Sequence, residues 1–334
     1  MTTRTRFGIA LGLVFFIAIT LLAVRLVNHE AESNVKYERT FPIMGTIAKF
    51  TFYAPPETAR DAADRARAAF DRVVELCNLY DPKSELSRLN AQAAEKPFPC
   101  SPDLWNLLLE ARKAYLFSDG AFDITAKPLM DLWGFYRKRG NQPPSQEEIR
   151  ETMKKIGLDK VVFNNTDRTV KFTVSGMSFD LGGIAKGYAV DRAADVVVAQ
   201  FGIKRGVIDL GGNLRLLPKP PPGRDAYRVG IRNPTKKSEL LNDVLELCNV
   251  SLSTSGDYER FVKLGETHYG HIMNPRTGQP TQYSGSVTVI APSAMLADWL
   301  STSIFLQGRE LAKQAETSFS GVSVIITDEV GRGR

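Results

Sequence analysis

The stretch Ser178-Phe-Asp-Leu-Gly-Gly-Ile-Ala-Lys-Gly-Tyr-Ala-Val-Asp191 decides how the rest of the sequence is interpreted. It predicts a short strand from Met177 to Leu181, a turn at Gly182–Gly183 and a helix running toward Gln200, because apolar residues recur there at three- and four-residue steps. A glycine pair lets the backbone approach a ligand closely, since no Cβ is in the way. The first turn of the helix then offers unpaired N–H groups, which suit a phosphate.

Two charged side chains flank this turn. Asp180 ends the predicted strand, and Lys186 lies in the first turns of the predicted helix. A carboxylate, an amine and a bare backbone would therefore meet in one small space. The alternative is an ordinary glycine-rich turn, in which Asp180 is a cap and Lys186 points to solvent.

The composition is that of a globular protein, with 43% hydrophobic and 24% charged residues. Without an N-terminal segment about 300 residues remain, enough for one large domain or two lobes with a core. The net charge of +6 is scattered, and no Lys/Arg run is interleaved with aromatic residues, which argues against nucleic-acid binding. Cys77, Cys100 and Cys248 do not have the spacing of a metal motif, and their odd count argues against a disulfide framework. Buried apolar cysteines are expected, with one disulfide left open.

The N-terminus has the pattern of an export signal or a membrane anchor. Phe7–Val24 is almost continuously apolar, with arginines on both sides and a polar stretch after it. This run is just long enough to span a bilayer, and the preceding arginines would keep that end in the cytoplasm. No small-x-small cleavage site and no cysteine for lipidation follow directly. We therefore expect an uncleaved anchor and stalk over residues 1–35 in the bacterial inner membrane, and a folded domain over residues 36–334 on the periplasmic side.

The order of the predicted elements favours an α+β fold. Strands mostly follow strands and helices come in blocks, unlike the alternation of a doubly wound sheet. The further predicted helices are Glu57–Tyr80, Ser101–Ser118, Ser145–Lys155 with a capping box, Ser293–Gln307 and one after Gly308. The further predicted strands are two within Glu38–Tyr53, Val161–Phe163, Thr169–Val174, Gly206–Leu210, Tyr227–Ile231, Val244–Ser253, Arg260–Lys263, Ser284–Ile290 and Val322–Thr327.

An acid interrupts the helix Ser293–Gln307, which is otherwise apolar on nearly every side. Asp298 lies in its middle, and Thr302 follows one turn later on the same face. A carboxylate in such a helix is costly unless it is paired or bound to a metal. Carboxylate and hydroxyl oxygens suit Mg²⁺ or Ca²⁺ rather than zinc. The structural alternative is that Asp298 pairs with an Arg or Lys, while Thr302 bonds back to Asp298 or to the helix carbonyl.

The most prominent histidine lies just before a rigid turn. His271 precedes Asn274-Pro-Arg-Thr-Gly278, a sequence typical of a turn that would hold His271 and Arg276 in place. The chain has only three histidines, and His29 lies in the stalk, so a catalytic histidine must be His268 or His271. A surface histidine at a turn is the alternative.

Eight segments, taken in this order along the chain, resemble one family: the ApbE-type FAD:protein FMN transferases. The resemblance extends from about Phe41 to the C-terminus. The segments are Met44-Gly-Thr46, Tyr80-Asp-Pro82, Gly120-Ala-Phe-Asp123, Asp180-Leu-Gly-Gly-Ile-Ala-Lys-Gly-Tyr188, Asp209-Leu-Gly-Gly-Asn213, Ser253-Thr-Ser-Gly256, His271-Ile-Met-Asn-Pro-Arg-Thr-Gly278 and Ala297-Asp-x-x-Ser-Thr302. Each is short, but their combination in this order is specific.

The resemblance implies a bilobal α+β fold of mainly antiparallel sheets and flanking helices, with FAD between the lobes. It implies FAD contacts from Met44, Tyr80, Ala121, Phe122, Asp123, Asp180, Lys186 and Ile272. It also implies Mg²⁺ on the FAD diphosphate, held by the side chains of Asp298 and Thr302 and by a main-chain carbonyl that we place at Gly183. The chain has Asn274 where many relatives would have Asp, and we assign this residue no chemical role.

The resemblance further implies an enzyme that transfers FMN from FAD to a Ser or Thr hydroxyl of a target flavoprotein. The reaction would depend on Mg²⁺, form a phosphoester and release AMP. The attacking hydroxyl must lose a proton, and His271 is the predicted general base, with Asp257 or Asp180 behind it. Two alternatives remain: an FAD diphosphatase that uses water instead of the hydroxyl, and a flavin-binding carrier without turnover.

Overall fold

The computed structural model describes residues 35–136, 139–233, 240–256, 261–281 and 285–327. Its helices in these ranges are α1 (Pro56–Cys77), α2 (Glu85–Gln92), α3 (Pro102–Phe117), α4 (Lys127–Trp133), α5 (Gln146–Met153), α6 (Ala185–Phe201), α7 (Ala294–Gln307) and α8 (Arg309–Ser318). Two short 3₁₀ helices are Ile124–Ala126 and Leu158–Lys160.

Within the described ranges the strands form one large sheet and four small ones. They are β1 (Lys36–Ile43), β2 (Thr46–Tyr53), β3 (Phe98–Pro99), β4 (Val161–Asn164), β5 (Thr169–Phe172), β6 (Gly206–Leu210), β7 (Asn213–Leu216), β8 (Tyr227–Arg232), β9 (Leu240–Leu247), β10 (Ser251–Gly256), β11 (Phe261–Leu264), β12 (Thr267–Gly270), β13 (Met273–Asn274), β14 (Gln279–Pro280), β15 (Ser286–Ala291) and β16 (Ser323–Thr327). The large sheet is antiparallel throughout, in the order β1-β2-β6-β7-β10-β15-β16. The small sheets are β3-β5-β4, β8-β9, β11-β12 and β13-β14.

The β1–β2 hairpin fixes the first edge of the large sheet. Its two-residue loop is Met44–Gly45, with φ of 51° and 72°, between the paired residues Ile43 and Thr46. Two consecutive positive φ angles are typical of a type I′ turn, whose twist matches that of the flanking strands. The turn therefore places Met44 at the end of the sheet rather than in its middle.

Helices α1, α6 and α7 cover one face of the large sheet. Along β2 the inward positions Ala48, Phe50 and Phe52 are fully buried, as the alternation of a strand requires. The ring of Phe50 packs edge-on against Phe41 at 5.2 Å and against Phe70 of α1 at 5.4 Å. Each such buried aromatic side chain contributes roughly 1.5–3 kcal/mol, so this corner anchors the fold.

A second, smaller core lies beside the first. It consists of Leu129, Trp133, Ile149, Ile156, Leu264 and Met273, from α4, α5 and the small hairpins. Ile272 belongs to the main core and its neighbour Met273 to the smaller one. The short segment that carries His271 therefore runs between two packed regions.

The α+β prediction is confirmed, and most elements lie where the sequence predicts them. The capping box at Ser145 and Glu148 is present, and the helix around Asp298 is Ala294–Gln307. The three cysteines are free thiols, and burial raises the pKa of Cys100 to about 12. Cys100 is buried, as expected, while the other two are half-buried.

The predicted strand Met177–Leu181 is wrong. This segment is irregular, and no strand pairs with it in the part of the chain described. The side chain of Asn90 takes the place of a strand partner: its amide donates to the Phe179 carbonyl at 2.9 Å, and its oxygen accepts the Phe179 N–H at 2.7 Å. Phe179 and Leu181 are nevertheless buried, which explains the apolar pattern.

Two further differences concern local boundaries. The predicted strand Val244–Ser253 is divided into β9 and β10 by a turn in which Asn249 has a φ of 55°. Helix α2 is absent from the predicted helices; Ser84 caps it by accepting the Ser87 N–H.

The predicted anchor falls on residues 1–35, of which residues 1–34 lie outside the described ranges. Among the residues described, no helix has the length and apolar character needed to cross a membrane. The division at residue 35 stays a prediction.

Candidate functional site

A cavity of about 820 Å³ lies at the ends of the sheet strands, beside the start of α6 and the middle of α7. Most residues that the sequence singles out line it: Met44, Ala121, Phe122, Asp123, Asp180, Gly183, Lys186, His271, Ile272, Asp298 and Thr302. Tyr80 does not line it; this side chain is 68% exposed and lies 5.6 Å, between ring centroids, from Tyr136, which does. Asp257 lies outside the described residues.

Asp180 fixes the glycine turn at one wall of this cavity. One of its carboxylate oxygens accepts the Gly182 N–H at 2.7 Å, and the other accepts the hydroxyl of Tyr136 at 2.7 Å. Its own N–H donates to the Ile124 carbonyl at 2.7 Å. Asp180 thus holds the turn open toward the cavity, while its predicted role behind the general base stays a prediction.

Gly183 lies where no larger residue fits without a shift of its neighbours. A Cβ on this residue would come within 2.9 Å of the Phe122 ring and 3.6 Å of the Thr302 hydroxyl. The backbone of the turn therefore lies against α7. This proximity fits the prediction that a main-chain group of Gly183 and the side chain of Thr302 serve the same ligand.

Asp298 is the most buried acid of the cavity, with 3% of its surface exposed. Its Oδ2 accepts the Gly187 N–H at 2.9 Å, and its Oδ1 lies 3.4 Å from the Ser253 hydroxyl and 4.0 Å from the Lys186 ammonium. Burial raises the pKa of Asp298, and the charge of Lys186 acts in the opposite direction. The acid is therefore held by α6 and β10 as well as by its own helix.

Asn213 completes this group, although no role for it is predicted from the sequence. It is 1% exposed, at the start of β7. In the orientation that satisfies its neighbours, its oxygen accepts from Lys186 at 2.8 Å and its nitrogen donates to Asp298 at 3.2 Å and to Ser253 at 2.9 Å. Asn213 ends the segment Asp209-Leu-Gly-Gly-Asn213, but nothing in that segment marks its last residue as a partner of Asp298.

A row of hydroxyl groups continues from Asp298. The hydroxyls of Ser255 and Ser301 are 2.8 Å apart, and Thr302 lies 3.3 Å from Ser255. Thr302 also donates to the Asp298 carbonyl at 3.3 Å. The polar end of strand β10 thus lies in the site.

The donor set fits a hard divalent cation. It offers one carboxylate and several hydroxyl groups, and Mg²⁺ usually takes only one or two protein carboxylates and fills its shell with phosphates and water. Within the described ranges no cluster of three or more His, Cys, Asp or Glu is found. The alternative without a metal was that Asp298 pairs with a basic side chain and Thr302 bonds to the helix carbonyl. Both contacts are present, from Lys186 to Asp298 and from Thr302 to the Asp298 carbonyl. The geometry is compatible with both.

The turn after His271 is anchored on both sides. The Asn274 side chain accepts the Arg276 N–H at 2.9 Å, and the Arg276 guanidinium bonds to Asp119 at 2.7 Å. The Trp133 indole donates to the Gly278 carbonyl at 2.9 Å. His271 is half-buried at the cavity wall beside this anchored turn, and its role as base stays a prediction.

Asp123 is a second acid whose ionisation is perturbed. Burial raises its pKa to about 6, although its carboxylate accepts the Thr125 N–H at 2.8 Å and the Thr125 hydroxyl at 2.7 Å. It lines the cavity next to Phe122.

The model of the ApbE family matches residues 44–326. The chain belongs to the ApbE family. It is 32% identical over 259 residues to the FAD:protein FMN transferase of Haemophilus influenzae, covering 75% of this chain and 74% of that protein. It is 30% identical over 317 residues to the FAD:protein FMN transferase of Escherichia coli, covering 93% and 88%.

Solved structures of ApbE proteins share the fold. The ApbE protein of Thermotoga maritima superposes with a TM-score of 0.82 at 29% identity, covering 90% of this chain and 96% of that one. The flavin transferase ApbE of Vibrio cholerae gives 0.78 at 27% identity, covering 90% and 95%. The resemblance stated from the sequence is thereby confirmed. All the ApbE segments except that of Tyr80 contribute residues to the cavity.

Proposed function

We propose that this ApbE-family protein is an FAD:protein FMN transferase that uses Mg²⁺ to move FMN from FAD onto a Ser or Thr hydroxyl of a target protein. The observation that carries the proposal is the convergence of seven family segments on one cavity of about 820 Å³. Its relatives in Haemophilus influenzae and Escherichia coli bear the same function in their names.

The residues of the cavity divide into two functional sets. Met44, Ala121, Phe122 and Ile272 offer an apolar wall for the flavin ring, with Asp123 beside them. Lys186, in the first turn of α6, supplies a positive charge that suits the diphosphate. Asp298, Thr302 and the Gly183 carbonyl would hold Mg²⁺, which when bound neutralises the diphosphate charge and favours departure of the leaving oxygen.

The transfer reaction follows from this division. His271 takes the proton from the acceptor hydroxyl, whose oxygen attacks the FMN phosphorus. The bond between this phosphorus and the bridging oxygen breaks, and AMP leaves with the electron pair. The product is a phosphoester between FMN and the target side chain, and no covalent intermediate with the transferase is required.

Two other activities would use the same cavity. With water as the acceptor the products would be FMN and AMP, and with no chemistry the protein would be a flavin carrier. The purified protein, incubated with FAD and with membrane proteins from cells that lack this chain as acceptors, should release AMP in the presence of Mg²⁺ but not in its absence, and His271→Asn should release far less. FAD that stays intact under both conditions would make the protein a carrier.

We further propose that the protein is anchored in the inner membrane by its N-terminal segment, with the ApbE domain in the periplasm. The support is the apolar run Phe7–Val24 between arginines. Fractionation of cells that express the full chain should place it in the membrane. A soluble mature protein that begins after Val24 would contradict the anchor.

A further inference from the structure

Helices α6 and α7 touch at their N-terminal ends without side chains between them. A Cβ on Gly187 would come within 2.3 Å of the Ala294 carbonyl oxygen and 2.7 Å of the Met295 Cα. The backbone of one helix thus lies directly on that of the other. Because the packing there is close, a small displacement of one helix is transmitted to the other.

Each of the two helices carries a carboxylate that accepts hydrogen bonds from backbone N–H groups of the other. Asp191, four residues after Gly187 on α6, accepts the Ala294 N–H at 2.8 Å and the Met295 N–H at 2.9 Å. Asp298, four residues after Ala294 on α7, accepts the Gly187 N–H at 2.9 Å. Each helix therefore binds the exposed N–H groups at the positive end of the other through a carboxylate one turn further on.

Burying the Asp191 carboxylate at this contact costs free energy that apolar packing would not cost. Asp191 is largely removed from water, and burial raises its pKa to about 6. Arg215 also holds the residue before the N-cap of α7, because its guanidinium donates to the Pro292 carbonyl at 3.0 Å. Meanwhile α7 already has a cap of its own, because the Ser293 hydroxyl accepts the Leu296 N–H at 3.2 Å. The second cap comes from a neighbouring helix and fixes α7 against that helix.

We propose that Asp191 is a positioning residue for flavin transfer: by fixing α7 against α6, it aims Asp298 and Thr302 at the glycine turn. The proposal rests on the proposed function. Asp298 reaches α6 through a backbone N–H, so a slide or rotation of α7 would change this bond and move Thr302 away from Gly183 together with it. A misplacement of about 1 Å at a reacting centre can cost about 100-fold in rate.

Asp191→Asn and Ser293→Ala form a matched pair of variants. Both remove part of a cap at the same end of α7, but only Asp191 links that end to α6. The first measurement is hydrogen exchange of the Gly187 amide, which needs neither FAD nor Mg²⁺. The second is the Mg²⁺ concentration for half-maximal AMP release from FAD.

In Asp191→Asn we expect the Gly187 amide to exchange about tenfold faster, as for the loss of one hydrogen bond. The Mg²⁺ requirement should rise about 10- to 100-fold, the usual effect of losing a residue that orients a metal ligand. Ser293→Ala should lower the melting temperature and leave both readouts unchanged. If Asp191→Asn does not fold, Asp191→Glu, which keeps the charge but moves it by one methylene, should show the same two changes.

Equal changes in Asp191→Asn and Ser293→Ala would reduce Asp191 to an ordinary helix cap and overturn the proposal. So would an unchanged Gly187 exchange rate in a folded Asp191 variant. The two failures are separable: a wild-type protein that never releases AMP refutes the proposed function, while the exchange rate of Gly187 still decides whether Asp191 positions Asp298.

Discussion

Replacing Asp298 by asparagine removes one charge from the cavity and almost no volume. The asparagine oxygen can still accept the Gly187 N–H, which lies 2.9 Å from Oδ2 in the wild type. Its amide group would then face Asn213, Ser253 and the Lys186 ammonium, where the carboxylate now lies. The substitution therefore keeps the link to α6 and loses the negative charge.

The effect on folding should be small. A hydrogen bond to a charged group is worth about 1.5–3 kcal/mol. Against this loss stands the relief of a buried charge, since burial raises the pKa of Asp298, and the Lys186 side chain is 28% exposed and can be hydrated. We expect the free energy of unfolding without metal to fall by no more than about 3 kcal/mol, the value of one hydrogen bond to a charged group.

The effect on transfer should be much larger. A metal clamp on a phosphoryl group is worth several kcal/mol of transition-state stabilisation. At about 1.4 kcal/mol for each factor of ten, a loss of about 4 kcal/mol slows AMP release about 1000-fold. The Mg²⁺-induced rise in melting temperature should disappear as well.

The assay combines urea unfolding with and without Mg²⁺ and AMP release from FAD. Asp131→Asn is the matched control, because Asp131 also pairs with a lysine, Lys127 at 2.7 Å, in a partly buried setting. This control should lose a little stability and keep the Mg²⁺ response. If Asp298→Asn unfolds about 3–5 kcal/mol more easily without metal and still turns over FAD at the wild-type Mg²⁺ requirement, Asp298 is a structural ion-pair partner.

Three further variants test other parts of the site. His271→Asn should bind FAD and Mg²⁺ normally but transfer FMN about 10²–10⁴-fold more slowly in single-turnover kinetics. Full activity of this variant would show that another residue is the general base. Lys186→Met should weaken FAD binding by about 1–3 kcal/mol in calorimetry, and an unchanged affinity would return Lys186 to a structural role. Burial raises the pKa of Asp123 from 3.8 to about 6, so the folded state binds this proton more tightly than the unfolded state. The folded state therefore loses stability as the pH rises from about 4 to 6. Asp123→Asn should therefore gain about 3 kcal/mol relative to the wild type between pH 4 and pH 7 in urea unfolding, whereas a constant difference would exclude this linkage.

The parts of the fold that could be predicted are those set by local chemistry. The capping box of α5 and the apolar helix around Asp298 follow from periodicity and from side chains that bond within their own segment. The Met44–Gly45 hairpin loop likewise depends on residues next to each other in the chain. In such cases the sequence neighbours are also the neighbours in space.

The parts that could not be predicted depend on distant partners. The segment around Phe179 has the apolar pattern of a strand, yet Asn90, 89 residues away, satisfies its backbone. Asn213 looks like the end of a turn until Lys186 and Asp298 are brought to it by two different helices. No local pattern signals either contact, so both required the structure.

The most direct test of the central claim is the detection of flavin attached covalently to another protein. Membrane proteins from cells that lack this chain would be incubated with the purified enzyme, FAD and Mg²⁺, and denatured before in-gel flavin fluorescence and peptide mass spectrometry. We predict a fluorescent band that requires Mg²⁺, is lost with Asp298→Asn, and yields a peptide carrying FMN on a Ser or Thr. Release of AMP and free FMN at the same rate with and without added proteins, and no covalent flavin, would show a diphosphatase and contradict the transferase.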